Sequence, residues 1–370
     1  MSTVYASVAS YAYDELKPKL FEMMRSMDMG AIAQGSRVLV KPNLLAPASP
    51  DKAMVTHPMV LRAVVEYVLE KGASIQVSDS PAMGSFQRVL KESGIRAALR
   101  DLDVEFQEFR SSVVADVGAP FHRIELARDA LSAEVLINLP KLKTHSQMLL
   151  TLGVKNLFGC VVGYRKPQWH MRAGVDREMF GLLLYRIYSV VKPAFTILDG
   201  ILAMEGQGPG RSGSPRHVGV VLGSTDAVAL DVTASRMVGV DPLRVFTNLA
   251  AAKAGGMPHS IHVAGKLPTI ENYALPRITP LVFGPRITRK HMRKYLIQRP
   301  VPNERLCTGC GECRRICPAG AILQDGKKLL FDYDCCIRCY CCIEVCPHGA
   351  MKAEVPPLGR VFNRLIQMTS

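Results

Sequence analysis

Ten of the eleven cysteines in this chain lie between Cys307 and Cys346. They form two runs, Cys307-x2-Cys310-x2-Cys313-x3-Cys317-Pro318 and Cys336-x2-Cys339-x2-Cys342-x3-Cys346-Pro347. Three thiolates spaced by two residues can wrap a tight loop around one iron–sulfur cubane, and the fourth begins the next turn and ligates the other cluster. This assigns Cys307, Cys310, Cys313 and Cys346 to cluster one, and Cys336, Cys339, Cys342 and Cys317 to cluster two. The expected cofactors are two 4Fe-4S clusters, and the expected chemistry is the handling of electrons. Zinc is the competing metal for paired C-x2-C units, but a zinc ribbon needs four ligands, not eight with repeated Cys-Pro ends. ICPAGAI recurs as VCPHGAM 29 residues later, and this offset selects Cys336 and Cys342 as ligands over Cys335 and Cys341. Those two read either as small residues beside the cluster or as alternative, redox-active thiols.

A second polar set recurs where apolar runs end. SRVLV ends in Lys41-Pro42-Asn43, SIQVS in Asp79-Ser80-Pro81, and AFTIL in Asp199-Gly200. AEVLINL runs into a polar loop, Pro140-Lys141-Leu142-Lys143-Thr144-His145. In open parallel α/β sheets the ligand crevice lies at the carboxyl ends of the strands. If these strands share a sheet, Lys41, Lys141, Lys143 and His145 converge on one anion, a carboxylate or phosphate. The competing reading of each lysine is a solvated loop charge. Lys155, Asn156, Cys160, Lys166 and His170 add polar groups further on. His145 or His170 is the expected proton donor, because histidine titrates near neutral pH. Cys160 is either inert packing or a second donor. The Gly-rich stretch from Glu205 to Gly210 lacks the Rossmann spacing, so no nicotinamide or flavin is expected. Asp226 reads as a helix N-cap.

The elements needed to position these residues are legible as alternation. β-like runs alternate with helical ones as far as residue 279, with Val60, Val64 and Val68 on one helical face. The fold class is α/β, a mainly parallel sheet flanked by helices, followed by a small α+β two-cluster domain. The boundaries are an α/β domain over 1–280, a basic connector over 281–300, the cysteine module over 301–355 and a tail over 356–370. Seven Arg or Lys and no acid fall between residues 277 and 300. A helix over 286–298 would set Met292, Tyr295 and Leu296 against Arg289, Lys290, Arg293 and Lys294.

The formal charge of +14 calls for an anionic partner. No zinc-finger, helix-turn-helix or RNA-binding signature accompanies it, so nucleic acid is not expected. No transmembrane segment or signal peptide is apparent, which places the protein in the cytoplasm, with peripheral membrane contact open through the connector. The expected partners are a small anionic substrate and an electron-donor protein such as a separate ferredoxin.

KPNLL, THP, SDSP, PKLKTH, GVKNLFGCVVGYRKPQWH, LDGILAMEGQGPG and GSTDAVALD, in that order, resemble the domain-of-unknown-function-362 family. CIRCYCCIEVCP resembles the ferredoxin domain appended to many members, Cys341 included. VVGYRKPQWH departs from the family's Pro-Gly-containing form. The resemblance implies an iron–sulfur protein of anaerobic or microaerobic redox metabolism. It singles out Lys41, Asn43, Lys143, His145, Lys155, Asn156, Cys160, Lys166, His170, Asp199, Glu205 and Asp231, and Ser80 joins them from the strand ends. The expected function is an oxidoreductase passing electrons from the clusters to the anion. A non-catalytic electron carrier and a metallocofactor maturation factor are the alternatives.

Overall fold

The computed structural model describes residues 1–163, 165–174, 176–276, 278 and 294–361. The large domain is built on one sheet. Its first strands are β1 (Ser2–Val8), β2 (Arg37–Pro42), β3 (Ser74–Val77) and β4 (Glu105–Phe106). A separate antiparallel hairpin, β5 (Ser112–Asp116) and β6 (Arg123–Ala127), follows. The sheet then takes β7 (Val135–Leu139), β8 (Lys141–His145), β9 (Leu149–Thr151), β10 (Phe195–Gly206), β11 (Gly213–Ser224) and β12 (Ile261–Gly265). The strand order is β12-β1-β11-β10-β7-β2-β3-β4, with β8 added to β10 and β9 to β8. Six pairings are parallel. Three are antiparallel, β1 with β11, β10 with β11 and β8 with β9, so the sheet is mixed but mainly parallel.

The central parallel strands are apolar runs buried on both faces, as helix-covered parallel sheets require. The helix Pro58–Glu70 begins with Pro58 at its first position, and the His57 side chain accepts the Met59 N–H. Val60, Val64 and Val68 are fully buried, as the spacing predicts, and Leu61 and Val65 are buried as well. The helix packs on β2 and β3 and beside the helix Tyr13–Asp28, which itself packs on β11. Asp226 caps the helix Ala227–Met237 by accepting from Val228 and Ala229 N–H.

Two expectations are corrected here. Lys141–His145 is a strand, not a loop, and every residue of it is buried. Its alternation of Lys141, Lys143 and His145 with Leu142 and Thr144 is the period of a strand. The connector helix does not reach residue 298: the chain leaves helical geometry after Tyr295, and β13 (Arg299–Pro302) begins directly after Gln298. Tyr295 is exposed and Lys294 pairs with Asp334 at 3.0 Å. Arg289, Lys290, Met292 and Arg293 lie outside the described residues.

The small module comprises β13, β14 (Ile322–Asp325), β15 (Lys328–Phe331) and β16 (Met351–Glu354), paired β13 with β16 and β14 with β15. Two short helices, Glu312–Ile316 and Cys341–Glu344, lie between them. The module sits on the loop that joins β10 to β11. Ser212 Oγ donates to Met351 O at 3.0 Å, and a side chain at Gly210 would meet the Glu344 carbonyl.

Candidate functional site

The strands and helices of the small module bring the cysteines into two cradles. One small cavity is lined by Cys307, Cys310, Cys313 and Cys346, and another by Cys317, Cys336, Cys339 and Cys342. This is the crossed assignment read from the spacing. Among the described residues no three His, Cys, Asp or Glu side chains converge on a point that would suit a single ion. The thiols instead ring a cavity, as a cubane requires. Cys310 is exposed, whereas all of the second set except Cys317 are buried. Gly309 and Gly311 both take positive φ in the first ligand loop, which favours glycine.

Between the module and the large domain lies a crevice of about 280 Å³. From the sequence-derived set, Lys41, Asn43, Ser80, Lys143, His145, Lys155, Asn156, Lys166 and His170 line it. The module contributes Arg315, Cys341 and Glu344, among others. Cys341 also lines the cluster-two cradle, so one thiol separates the two cavities.

Several crevice residues are held from below. Asp231, fully buried, accepts the N–H groups of Gly153 and Val154 at 2.7 and 3.0 Å and so fixes the short helix Gly153–Asn156. That helix presents Lys155 and Asn156. Burial pushes the Asp231 carboxyl up to about 8, against the two N–H groups that hold it down. Asn156 Nδ2 donates to Asn138 Oδ1, and its Oδ1 accepts from Asn43 Nδ2, both at 2.8 Å. Asn43 Oδ1 in turn accepts from Lys143 Nζ at 2.7 Å, and Met54 O accepts from the same ammonium at 2.8 Å. Lys166 Nζ donates to Ser80 O and Oγ at 2.7 and 2.9 Å. Lys41 is neutralised by Asp79 at 3.0 Å. Gly159 packs so tightly on that pair that a Cβ there would collide with both side chains.

The electrostatics reverse one expectation. Burial pushes His145 down to about 4 and His170 down to about 3. Both rings are therefore neutral at neutral pH, and neither carries a spare proton there. Among the crevice-lining groups, those that titrate near neutrality are lysines: burial, helped by neighbouring Lys155, brings Lys143 down to about 7, and burial brings Lys166 down to about 8. Lys155 is lowered by burial against the pull of Glu344 and Cys341. Burial works to raise Glu344, but His145, Lys155 and His170 hold it down at about 2.

Four predicted site residues lie elsewhere. Lys141 and Asp199 are bonded to each other at 2.7 Å, both fully buried, with Tyr11 bridging them. Their charges cancel and are not offered to a ligand. Glu205 accepts the Ala274 N–H and lies near Arg216 at the far end of β10. Cys160 is buried beneath the crevice without lining it, and burial pushes its thiol up to about 12. This favours inert packing over proton donation.

Thr151, Glu344 and Cys341 are among the crevice members that sequence reasoning missed or left as bystanders. One signal was available: at the 29-residue repeat offset Glu344 corresponds to Arg315, and both line the crevice.

Among the buried polar atoms without a hydrogen-bond partner are Thr151 Oγ1, His145 Nε2, His170 Nδ1 and Glu344 Oε1, all on residues that line the crevice. His145 Nε2 and Glu344 Oε1 stand 3.1 Å apart but are poorly aligned for a hydrogen bond. Buried polar groups of this kind are ordinarily answered by a hydrogen-bond partner, ordered water included.

A family model described as a domain of unknown function (DUF362) matches residues 38–236, and one described as a 4Fe-4S dicluster domain matches residues 293–350. The chain is 39% identical over 274 residues to the thylakoid-associated protein sll1697 of Synechocystis sp., covering 72% of this chain and 85% of that one. It is 34% identical over 92 residues to the electron transport protein HydN of Escherichia coli, 24% of this chain and 49% of HydN. It is 37% identical over 59 residues to pyruvate synthase subunit PorD of Thermotoga maritima, 16% of this chain and 60% of PorD. No helix among the described residues is long and apolar enough to cross a membrane.

Proposed function

Because the chain belongs to the DUF362 family and carries a dicluster 4Fe-4S electron-transfer module, we propose that it is an oxidoreductase acting on a small anionic substrate in the crevice. Electrons enter from a separate protein donor at the exposed Cys310 side and leave toward the crevice at the Cys341 side. The observation that carries this reading is the shared wall: Cys341 belongs to both the cluster-two cradle and the crevice. When bound, the clusters supply the electrons.

The chain's own residues bind, orient and protonate. Among the described residues no carboxylate is bonded to Lys143, Lys155 or Lys166, so the three offer positive charge. A carboxylate or phosphate is the natural counterpart. Lys143 is the proton donor in place of the two histidines, since a donor works best with a pKa near the working pH. We place the protein in the cytoplasm. The thylakoid association named for its cyanobacterial relative would reach this chain as peripheral contact through the basic connector.

The test uses anaerobically loaded, pre-reduced protein and a panel of small carboxylates and phosphate esters. A substrate should reoxidise the clusters, and Lys143→Ala and His145→Ala should stop this with the cluster spectrum intact. If both variants are reoxidised as fast as the parent, the protein is a carrier. The carrier reading is favoured by one observation, that the module's relatives include a protein named for electron transport.

A further inference from the structure

The crevice presents three donors close to the module, and one of them, His145 Nε2, is faced by Glu344 Oε1 at 3.1 Å. Thr151 lies directly across from Lys143 in the β8–β9 pairing, and its Oγ1 is buried and unbonded. His145, two residues along β8, has a fixed tautomer. Its Nδ1 accepts the N–H groups of Gln147 and Met148 at 3.1 and 3.3 Å. The neutral ring therefore carries its proton on Nε2, the atom left without a hydrogen bond. Lys155 completes the set: among the described residues its ammonium has no hydrogen bond or ion pair. Of the ionisable groups around it, Glu344 and Cys341 belong to the module, and Lys143, His145 and His170 belong to the large domain. A hydroxyl, a ring N–H and an ammonium lining one crevice are the donor set of an oxyanion hole.

We propose that Thr151, His145 and Lys155 form a subsite for a carboxylate or phosphate group, and that its occupancy and the electron load of cluster two oppose each other. The inference rests on the crevice being the ligand site argued above. An electron added to cluster two adds a negative charge behind Cys341, and a bound anion adds another in front of it. In a buried, low-dielectric setting the two repel. Linkage makes the effect reciprocal: the anion lowers the potential of cluster two, and reduction weakens anion binding by the same factor. Cluster one shares only Glu312 with the crevice, and that carboxylate is paired with Arg315. Glu344 is the group that an incoming anion displaces from His145. Reduction of cluster two thus favours release of an anionic product.

The experiment is a redox titration of the full-length, cluster-loaded protein, followed by electron paramagnetic resonance. Inorganic phosphate and acetate are compared with chloride at matched ionic strength. One of the two cluster potentials should fall with phosphate, with acetate or with both, and the anion that acts assigns the ligand group. The shift should persist in Cys310→Ser, which retains cluster two, and should vanish in Thr151→Val and Lys155→Gln while the spectra stay unchanged. The proposal is overturned if neither anion exceeds chloride, if both clusters move alike, or if the shift survives in both variants. Linkage without substrate turnover would leave this inference standing and remove the catalytic one. Turnover without linkage would do the reverse.

Discussion

Lys141 Nζ and Asp199 Oδ2 lie 2.7 Å apart on adjacent parallel strands, and no solvent reaches either side chain. Tyr11 donates to Asp199 Oδ1 at 2.8 Å and stacks on His57 with ring centroids 3.5 Å apart. The pair is thus fully answered by the protein. Removing one partner of a buried pair leaves an uncompensated charge and costs about 3–5 kcal/mol. Lys141→Met should lower thermal stability by that order while leaving crevice binding per folded molecule unchanged. Lost binding in a fully folded variant would return Lys141 to the substrate site.

The cradles predict about eight iron and eight sulfide in anaerobically loaded protein. Cys310→Ser should damage one cluster. Cys341→Ser should leave the iron count near that of the parent, because the second cradle has four other thiols. Loss of a whole cluster in Cys341→Ser would make it a ligand.

The pH dependence has a definite sign. Lys143 is brought down to about 7 in the folded protein and acts as an ammonium. Substrate binding and cluster reoxidation should therefore fall as pH rises through about 7. His145 should contribute no change there, since its ring gains a proton only near pH 4. A rate that climbs across the same range would make the neutral amine, and not the ammonium, the active form.

Gly159→Ala tests how the crevice floor is built. The new methyl would drive into the Lys41–Asp79 pair. Asp79 also accepts the Leu44 and Ser80 N–H groups, both at 2.9 Å. Displacing it should cost stability comparable to overpacking a core, about 1–3 kcal/mol, and weaken anion binding as well. Parent-like melting and binding would show that the loop yields without strain.

The connector offers a last test. Arg289, Lys290 and Arg293 reversed to Glu, with Lys294 left on Asp334, should slow reduction by an acidic protein donor at low salt. Small neutral mediators should reduce the parent and the variant alike. Equal rates with the protein donor across a salt series would remove the connector from docking.

The legible parts of the fold were those with local causes. Cysteine spacing reports the crossed cradles because ligand geometry is set within a few residues. Val60, Val64 and Val68 report a buried helical face because the period is local. Asp226 reports its cap for the same reason. What stayed hidden depends on elements that meet only after folding. Lys141 and Lys143 look alike in KLKTH, and only the pairing of β8 with β10 sends one to Asp199 and leaves the other to the crevice. Lys-rich composition disguised β8 as a loop, although its alternation was on view. Glu344 and Cys341 enter the crevice through the seating of the module on the β10–β11 loop, which no local pattern announces. The histidines mislead because their types suggest neutral-range acids, while burial decides otherwise.

The exposure of Cys310, set against the burial of most second-cradle thiols, also bears on survival in air. Oxygen should attack the outer cubane first. A briefly aerated sample would then keep its inner cluster and its brown colour at reduced intensity, yet be deaf to its protein donor. Such material would pass a spectroscopic check and fail a donor-coupled assay. Reconstituting the outer cluster alone should restore it.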